Sequence, residues 1–371
     1  MLLKNFRLKP RNQAAAGRAR RELLAHPTDF IAENLDSRGE VPGQAKANFF
    51  NSHTLMPTYT WPMPFLPAVR TLLFPVVTAA GVACLLLQPP MAHGWGNEGH
   101  RLINRLAVTS LPADVPAFLR SPEAVAEIEY LGPEPDRWRS AAEPELSAAQ
   151  APEHFINLET ADALGPLPRR RLDFEAKVFG AGERPEKIGL QPWEATEVWE
   201  RLKAALREYR ALAAAHQDTR PVEQAVLFYA GWLGHYAGDA SQPLHTTVQY
   251  NGWVGPNPNG YTTEHRIHWQ FEGPFVAANL HEPEVRAKMT PVKAIDGEIF
   301  DAYVAYLRHT ATYVENVYQL EKVGGFTGAG SAESRDFTAE RLAAGASMLR
   351  DMIYSAWQQS AIPVADPYAV K

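Results

Sequence analysis

The chain is nearly without cysteine. Of its 371 residues only Cys84 carries a thiol, so no intrachain disulfide can form and no set of thiolates can hold a metal. A bound cation would have to be gripped by His, Asp, Glu or backbone groups. A basic excess is missing too: the formal net charge is -6, and ten Lys/Arg against five Asp/Glu precede Trp95, which leaves 26 bases, 37 acids and a net of -11 from Trp95 onward. This argues against strong nonspecific nucleic-acid binding through a basic surface. Alternating apolar and polar runs of strand length are scarce and no repeat period emerges, so neither a sheet protein nor a solenoid is expected. What remains is an ordinary globular composition, 46% hydrophobic and 21% charged, in a chain long enough to bury a full-sized core.

Apolar runs of membrane length are also rare. One exists, residues 71–88 (TLLFPVVTAAGVACLLLQ), led by Arg70 and followed by PPMAHG. Ala92 and Gly94 place small residues at both positions that a signal peptidase reads, so residues 63–94 are expected to be a signal peptide cut after Gly94. A retained anchor competes, but the run is barely long enough to span a bilayer and contains Pro75 and Gly81. Lipidation of Cys84 is weaker still, because Gly81 is a poor residue three places before a lipidated cysteine. Residues 1–62 have mixed polarity and no period. They are expected to precede the true start, at Met56 or Met63, or to form a disordered extension. The mature product would then be periplasmic or secreted, with no stable membrane partner; its oligomeric state is not legible in these patterns.

Residues 95–371 are expected to form a single all-α, mainly helical domain. Leu102, Ile103, Leu106, Ala107 and Leu111 recur at helical spacing over Glu98–Leu111, and Pro112 closes that segment. Further helices are expected near Trp193–Ala215, Val222–Ala240, Ala294–Leu320 and Ala339–Ala361. Between Glu159 and Pro192 lies a connection rich in Pro, Gly and Arg. Gln249–Thr263 (QYNGWVGPNPNGYTT) is a long loop built of turn residues, and long loops within compact domains are usually functional.

The strongest chemical signal is GHYAGDASQPLH, in which His235, Asp239 and His245 stand as H-x3-D-x5-H. At i and i+4 on a helix, His235 and Asp239 share a face and can grip one cation. Pro243 stops the helix, so that His245 can fold back toward the same centre. Imidazole with carboxylate suits zinc. His268 and Glu272 repeat the spacing in EHRIHWQFEG. His265 lies close by, but Trp269 follows it by four and cannot ligate, which favours His268. His216, His281 and His309 read as surface or packing residues. Asp136 with Arg139 in PDRWR and His154 with Phe155 and Asn157 in PEHFINLE are weaker in isolation, where a turn ion pair and a half-buried histidine are the plainer readings.

Trp95-Gly96-Asn97-Glu98-Gly99-His100 resembles the mature start of the zinc-dependent phospholipase C and S-one/P-one nuclease superfamily, and the other motifs follow in that superfamily's order from Trp95 to Glu272. The resemblance implies a helical domain holding three zinc ions, with the free amino group and carbonyl of Trp95 among the ligands. It supplies a second reason for a cut after Gly94. By motif, Asp136, His154, His235 and Asp239 would hold one zinc, with Asp239 bridging to a second bound by Trp95 and His100. His245, His268 and Glu272 would hold the third. Such a centre suits hydrolysis of phosphate esters.

Within the superfamily, Asp136-x-x-Arg139 and the HFIN segment resemble the nucleases: Arg139 would sit near the phosphate, Phe155 would stack a base and Asn157 would read its edge. The long spacing from His245 to His268 points the same way. Glu272 stands where nucleases usually carry Asp and is similar to the phospholipase pattern. The leading expectation is therefore a nuclease cutting phosphodiesters of single-stranded RNA or DNA, with Asp136, Arg139 and Asp239 as catalytic residues and removal of 3'-terminal phosphates as an allied activity. A phospholipase C is the alternative. A non-catalytic zinc-binding protein is a third reading, disfavoured because the ligand set leaves room for water. Arg169–Arg171 reads as a solvated charge run rather than a steering patch for a polyanion.

Overall fold

A computed structural model describes residues 95–364. Cys84, the expected signal segment 63–94 and residues 1–62 lie outside the described residues. Among those described there is no β-strand, only an isolated bridge between Tyr250 and Gly252, and the all-α expectation holds. Eight helices carry the architecture: α1 (Gly96–Thr109), α2 (Pro122–Leu131), α3 (Gln191–Ala214), α4 (Arg220–Asp239), α5 (Ile267–Glu272), α6 (Ile299–Ala311), α7 (Val314–Lys322) and α8 (Ala332–Ser360). None is long and apolar enough to cross a membrane.

The core forms where α1, α3, α4 and α8 pack on one another, with α2 against α1 and α4. Each contributes an apolar stripe, among them Ile103 and Leu106 of α1, Trp199 and Leu202 of α3, Leu233 of α4 and Leu349 and Ile353 of α8, all essentially without solvent contact. Asn104 ties three of the helices by donating from Nδ2 to the Ile128 and Gly231 carbonyls at 2.8 and 3.0 Å. That approach needs a bare backbone, because a Cβ on Gly234 would lie 1.9 Å from Asn104 Oδ1.

Trp193–Ala215 and Val222–Ala240 stand within two residues of their sequence-derived bounds, the last helix starts seven residues earlier than expected, at Ala332, and one expected helix is divided. Ala294–Leu320 is two helices, α6 and α7, broken at Thr312 and Tyr313. Thr312 donates its hydroxyl to the His309 carbonyl, and this local bond competes with continuation of the helix. The 159–192 connection is more structured than its composition suggests. It holds helical segments Leu158–Ala163, Arg171–Gly180 and Pro185–Ile188, the last with Pro at its first position, where the missing N–H costs nothing.

Candidate metal centre

The end of α4 brings the centre together. His235 and Asp239 lie one turn apart on its buried face, and Pro243 opens a single 3₁₀ turn (Pro243–Thr246) that delivers His245. α1 supplies His100, a short turn (Glu134–Arg137) supplies Asp136, another (Ala151–His154) supplies His154, and α5 supplies His268 and Glu272. All eight side chains are buried. His265, by contrast, is exposed, as are His216, His281 and His309.

Three groups of donor atoms result: His100, His235 and Asp239; Asp136, His154 and His235; and His245, His268 and Glu272. The third is the trio inferred from the motifs, and His235 takes part in both of the others. Nε2 of His235 lies 2.9 Å from Nδ1 of His154, and both nitrogens are 3.2 Å from Asp239 Oδ2. His100 Nε2 approaches Asp239 Oδ1 at 3.4 Å, so the two oxygens of one carboxylate face two groups. His268 Nε2 lies 3.1 Å from His245 Nε2 and 2.8 Å from Glu272 Oε2. Asp136 Oδ1 is 3.7 Å from His154 Nδ1 and 3.5 Å from Arg139 Nη1.

These spacings fit zinc. Bonds of about 2.0–2.1 Å in a tetrahedron separate ligand atoms by roughly 3.3 Å, the range seen here. Outer contacts hold the rings in place: His235, His245 and His268 each present Nδ1 to a backbone carbonyl, of Gly132, His154 and Tyr250 at 2.9, 2.6 and 2.9 Å. An Nδ1–H held in that way leaves Nε2 as the inward lone pair, the tautomer a metal requires. Several inward atoms are buried without a hydrogen bond, namely both nitrogens of His100, Asp239 Oδ1 and Glu272 Oε1. Left so they would be costly, and a cation would satisfy them.

Electrostatics point the same way. Burial opposes the ionisation of Asp239, yet the surrounding His235 and His245 hold its carboxyl well below the usual range; Glu272 is lowered likewise against burial by His268 and His245. Burial disfavours a charged His245, but Asp239 and Glu272 outweigh it and push the imidazole up to about 9. His235 is raised against burial by Asp239 and Asp136. Burial lowers His154 to about 4 and also lowers His100. The carboxylates thus demand positive charge, which protons on His235 and His245 or metal cations can supply, and metal binding would release those protons.

A cavity of about 440 Å³ opens over this centre, walled by Arg139, His154, Phe155, Asn157, His245 and His268, with Glu186, Lys187 and Tyr250 at its sides. Its wall is clamped to the ligands: Ile156 N–H donates to the His245 carbonyl at 2.9 Å while His245 Nδ1 faces the His154 carbonyl. Gly189 completes it at φ +97°, where a Cβ would meet the Phe155 carbonyl oxygen at 2.1 Å. Phe155 is half-buried, and Asn157 donates Nδ2 to the Lys187 carbonyl at 2.8 Å. Trp95 is fully buried at the start of α1; its indole N–H donates to the Gly238 carbonyl and Ser241 Oγ, both at 2.8 Å, and its ring meets Phe271 edge-on.

No family model matches the chain. In sequence it is 29% identical over 210 residues to Endonuclease 2 of Arabidopsis thaliana, a match covering 53% of this chain and 57% of the relative, so that the chain spans little more than half the length of that protein. Among solved structures, a Clostridium perfringens alpha-toxin from an avian strain aligns over 74% of this chain and 66% of its own at 13% identity and a TM-score of 0.32. The alpha toxin of Clostridium absonum aligns over 72% and 66% at 13% identity and 0.33.

Sequence reasoning passed over two contributors. Gln242, fully buried, donates Nε2 to Glu272 Oε2 at 2.9 Å and accepts the Leu244 N–H at 2.6 Å, so it fixes both Glu272 and the turn that presents His245. Its place between Asp239 and His245 in the motif was the available signal. The Arg169–Arg171 run is solvated only in part. Arg169 and Arg170 do lie at the surface, paired with Asp301 and Asp173. Arg171 instead turns inward to Glu153 at 3.0 Å and Glu194 at 3.2 Å, and also pairs with Glu175 at 3.0 Å.

Proposed function

We propose that the mature protein is an exported zinc-dependent phosphoesterase, and that it hydrolyses phosphodiester bonds in single-stranded RNA or DNA. The observation that carries this reading is a cavity in which metal-capable His154, His245 and His268 share walls with a guanidinium, an aromatic ring and an amide. The sequence similarity to an endonuclease supports it. Asp136, His154, His235 and Asp239 would hold one zinc, His245, His268 and Glu272 another, and His100 a third together with the main chain of Trp95, once a cut after Gly94 has freed its amino group. Zinc bound there supplies a nucleophile from water at neutral pH and neutralises charge on the reacting phosphate oxygens.

The remaining residues act on the substrate. Arg139, on the cavity wall beside Asp136, meets a phosphate and strengthens its hold as charge builds in the transition state. Phe155 stacks an unpaired base. Asn157 is anchored by one Nδ2–H to the Lys187 carbonyl, which leaves its other N–H and its Oδ1 to read a base edge. Duplex substrate is disfavoured because its base faces are buried in the stack.

Glu272 favours a second reading, a phospholipase C, since the superfamily's nucleases usually carry Asp there. Zinc-loaded protein beginning at Trp95 should be assayed on single-stranded oligonucleotides and on phosphatidylcholine vesicles. Faster cleavage of the oligonucleotide is expected. Ready cleavage of phosphatidylcholine with no action on the oligonucleotide would replace the nuclease reading, and inactivity on both with zinc retained would leave a structural zinc protein.

A further inference from the structure

The loop that follows His245, residues 249–263, carries three aromatic side chains, and they divide in two. Trp253 and Tyr261 pack on each other and on Tyr318 of α7, with ring centroids 4.8 to 5.5 Å apart. Tyr250 does not join them: it lines the cavity over the metal centre and is 55% exposed. The backbone beneath it is nevertheless fixed. Tyr318 Oη donates to the Gln249 carbonyl at 2.5 Å and accepts the Gly252 N–H at 3.0 Å. His268 Nδ1 faces the Tyr250 carbonyl at 2.9 Å, and Asn251 Oδ1 accepts the His268 N–H at 3.4 Å. An aromatic ring mounted on a fixed backbone at a cavity edge, with its surface still open, loses little freedom when a flat ligand covers it.

Its place relative to Phe155 decides what it can cover. Phe155 follows His154, which belongs to the donor group with Asp136 and His235, whereas Tyr250 is tied to His268, which belongs to the group with His245 and Glu272. The two rings therefore flank different parts of the centre from the wall of one cavity. A phosphodiester seated over the metals carries a nucleoside on each of its two ester oxygens, and Phe155 stacks only one of them. We propose that Tyr250 stacks the base on the other side of the scissile phosphate, so that the site takes two consecutive unpaired bases. This rests on the phosphodiesterase reading above. Every base offers a π face, so such a platform selects unstacked strands rather than a sequence. It also favours an internal phosphodiester over a terminal phosphate, which has a nucleoside on one side only, and over a phospholipid, which has no base.

Dinucleoside monophosphates in which one base, and then the other, is replaced by an abasic sugar test the assignment with zinc-loaded protein beginning at Trp95. On the substrate with both bases, Tyr250→Ala should lower kcat/KM by roughly tenfold to a hundredfold, the range for one stacked base, and Tyr250→Phe, which restores a ring, should recover most of the loss. Zinc content should hold in Tyr250→Ala, because His268 is met by the main-chain carbonyl, which the substitution keeps. The penalty of Tyr250→Ala should vanish with one abasic substrate and that of Phe155→Ala with the other. Penalties that vanish with the same abasic substrate would put both rings on one base and overturn the proposal. A Tyr250→Ala penalty that survives with both abasic substrates, or no penalty on the full substrate, would overturn it as well. Wild-type protein that cleaves none of these substrates would overturn the nuclease reading and this proposal with it.

Discussion

Two polar clusters, one buried and one partly so, meet at the peptide between Glu153 and His154, and they neutralise their charge by different means. On one side Glu153 joins Glu194 and Glu175 around Arg171, a knot that closes on itself through three ion pairs. Burial and the neighbouring Glu194 push Glu153 up to about 8, despite Arg171, which favours a proton in this cluster. On the other side His154 enters a set of three carboxylates and five imidazoles whose inward atoms are left without enough donors. The first cluster is a joint that pins the turn bearing His154. The second is a site that calls for added cations.

The largest way to break this contrast is at the metal centre. Asp239→Asn should abolish activity and strip zinc, because both oxygens of Asp239 face donor groups; Glu272→Asp keeps a carboxylate and should lose less. Metal analysis with turnover measurements checks the order, and equal losses would contradict it. Arg171→Met attacks the other cluster. Removing one partner of a buried ion pair typically costs about 3–5 kcal/mol, and the partial exposure of Arg171 brings the expected loss of stability to roughly 2–4 kcal/mol, read by denaturant unfolding. Turnover per zinc-loaded molecule should change far less than in Asp239→Asn.

Smaller effects sharpen the comparison. Stacking is worth about 1–3 kcal/mol per base, so Phe155→Ala should lower kcat/KM on oligonucleotides by roughly tenfold to a hundredfold with zinc retained, whereas Arg139→Ala should lower kcat itself. A loss confined to KM in Arg139→Ala would remove its transition-state role. The knot should also leave a mark on pH dependence. Glu153 binds its proton more tightly folded, at about 8, than its ordinary value of 4.5, so its contribution to stability is present at low pH and fades as pH rises from about 4.5 through 8. Unfolding free energies of wild type minus Glu153→Gln should therefore fall across that window. A difference that stays flat would show that Glu153 is ionised in the fold.

The two clusters also differed in how far the sequence exposed them. His235 with Asp239, and His268 with Glu272, carry their geometry in their spacing, since i and i+4 share a helix face whatever the tertiary fold. Long helices such as α1, α3 and α4 were legible from apolar periodicity for the same reason. The Arg171 knot was not, because Arg171, Glu153 and Glu194 meet only when three distant segments pack, and a run of three arginines gives no sign that one turns inward. Short helices opening on proline, such as Pro122–Leu131 and Pro185–Ile188, were hidden by the residue that starts them. The contribution of Gln242 needed the partner's position as well as its own.

The most direct test of the account is a count of zinc ions in protein beginning at Trp95, by mass spectrometry under native conditions, alongside turnover of a single-stranded oligonucleotide by the same sample. Three donor groups predict about three zinc ions per chain in the active protein, with activity falling as chelation removes them. Fully active protein carrying fewer than two zinc ions would contradict it.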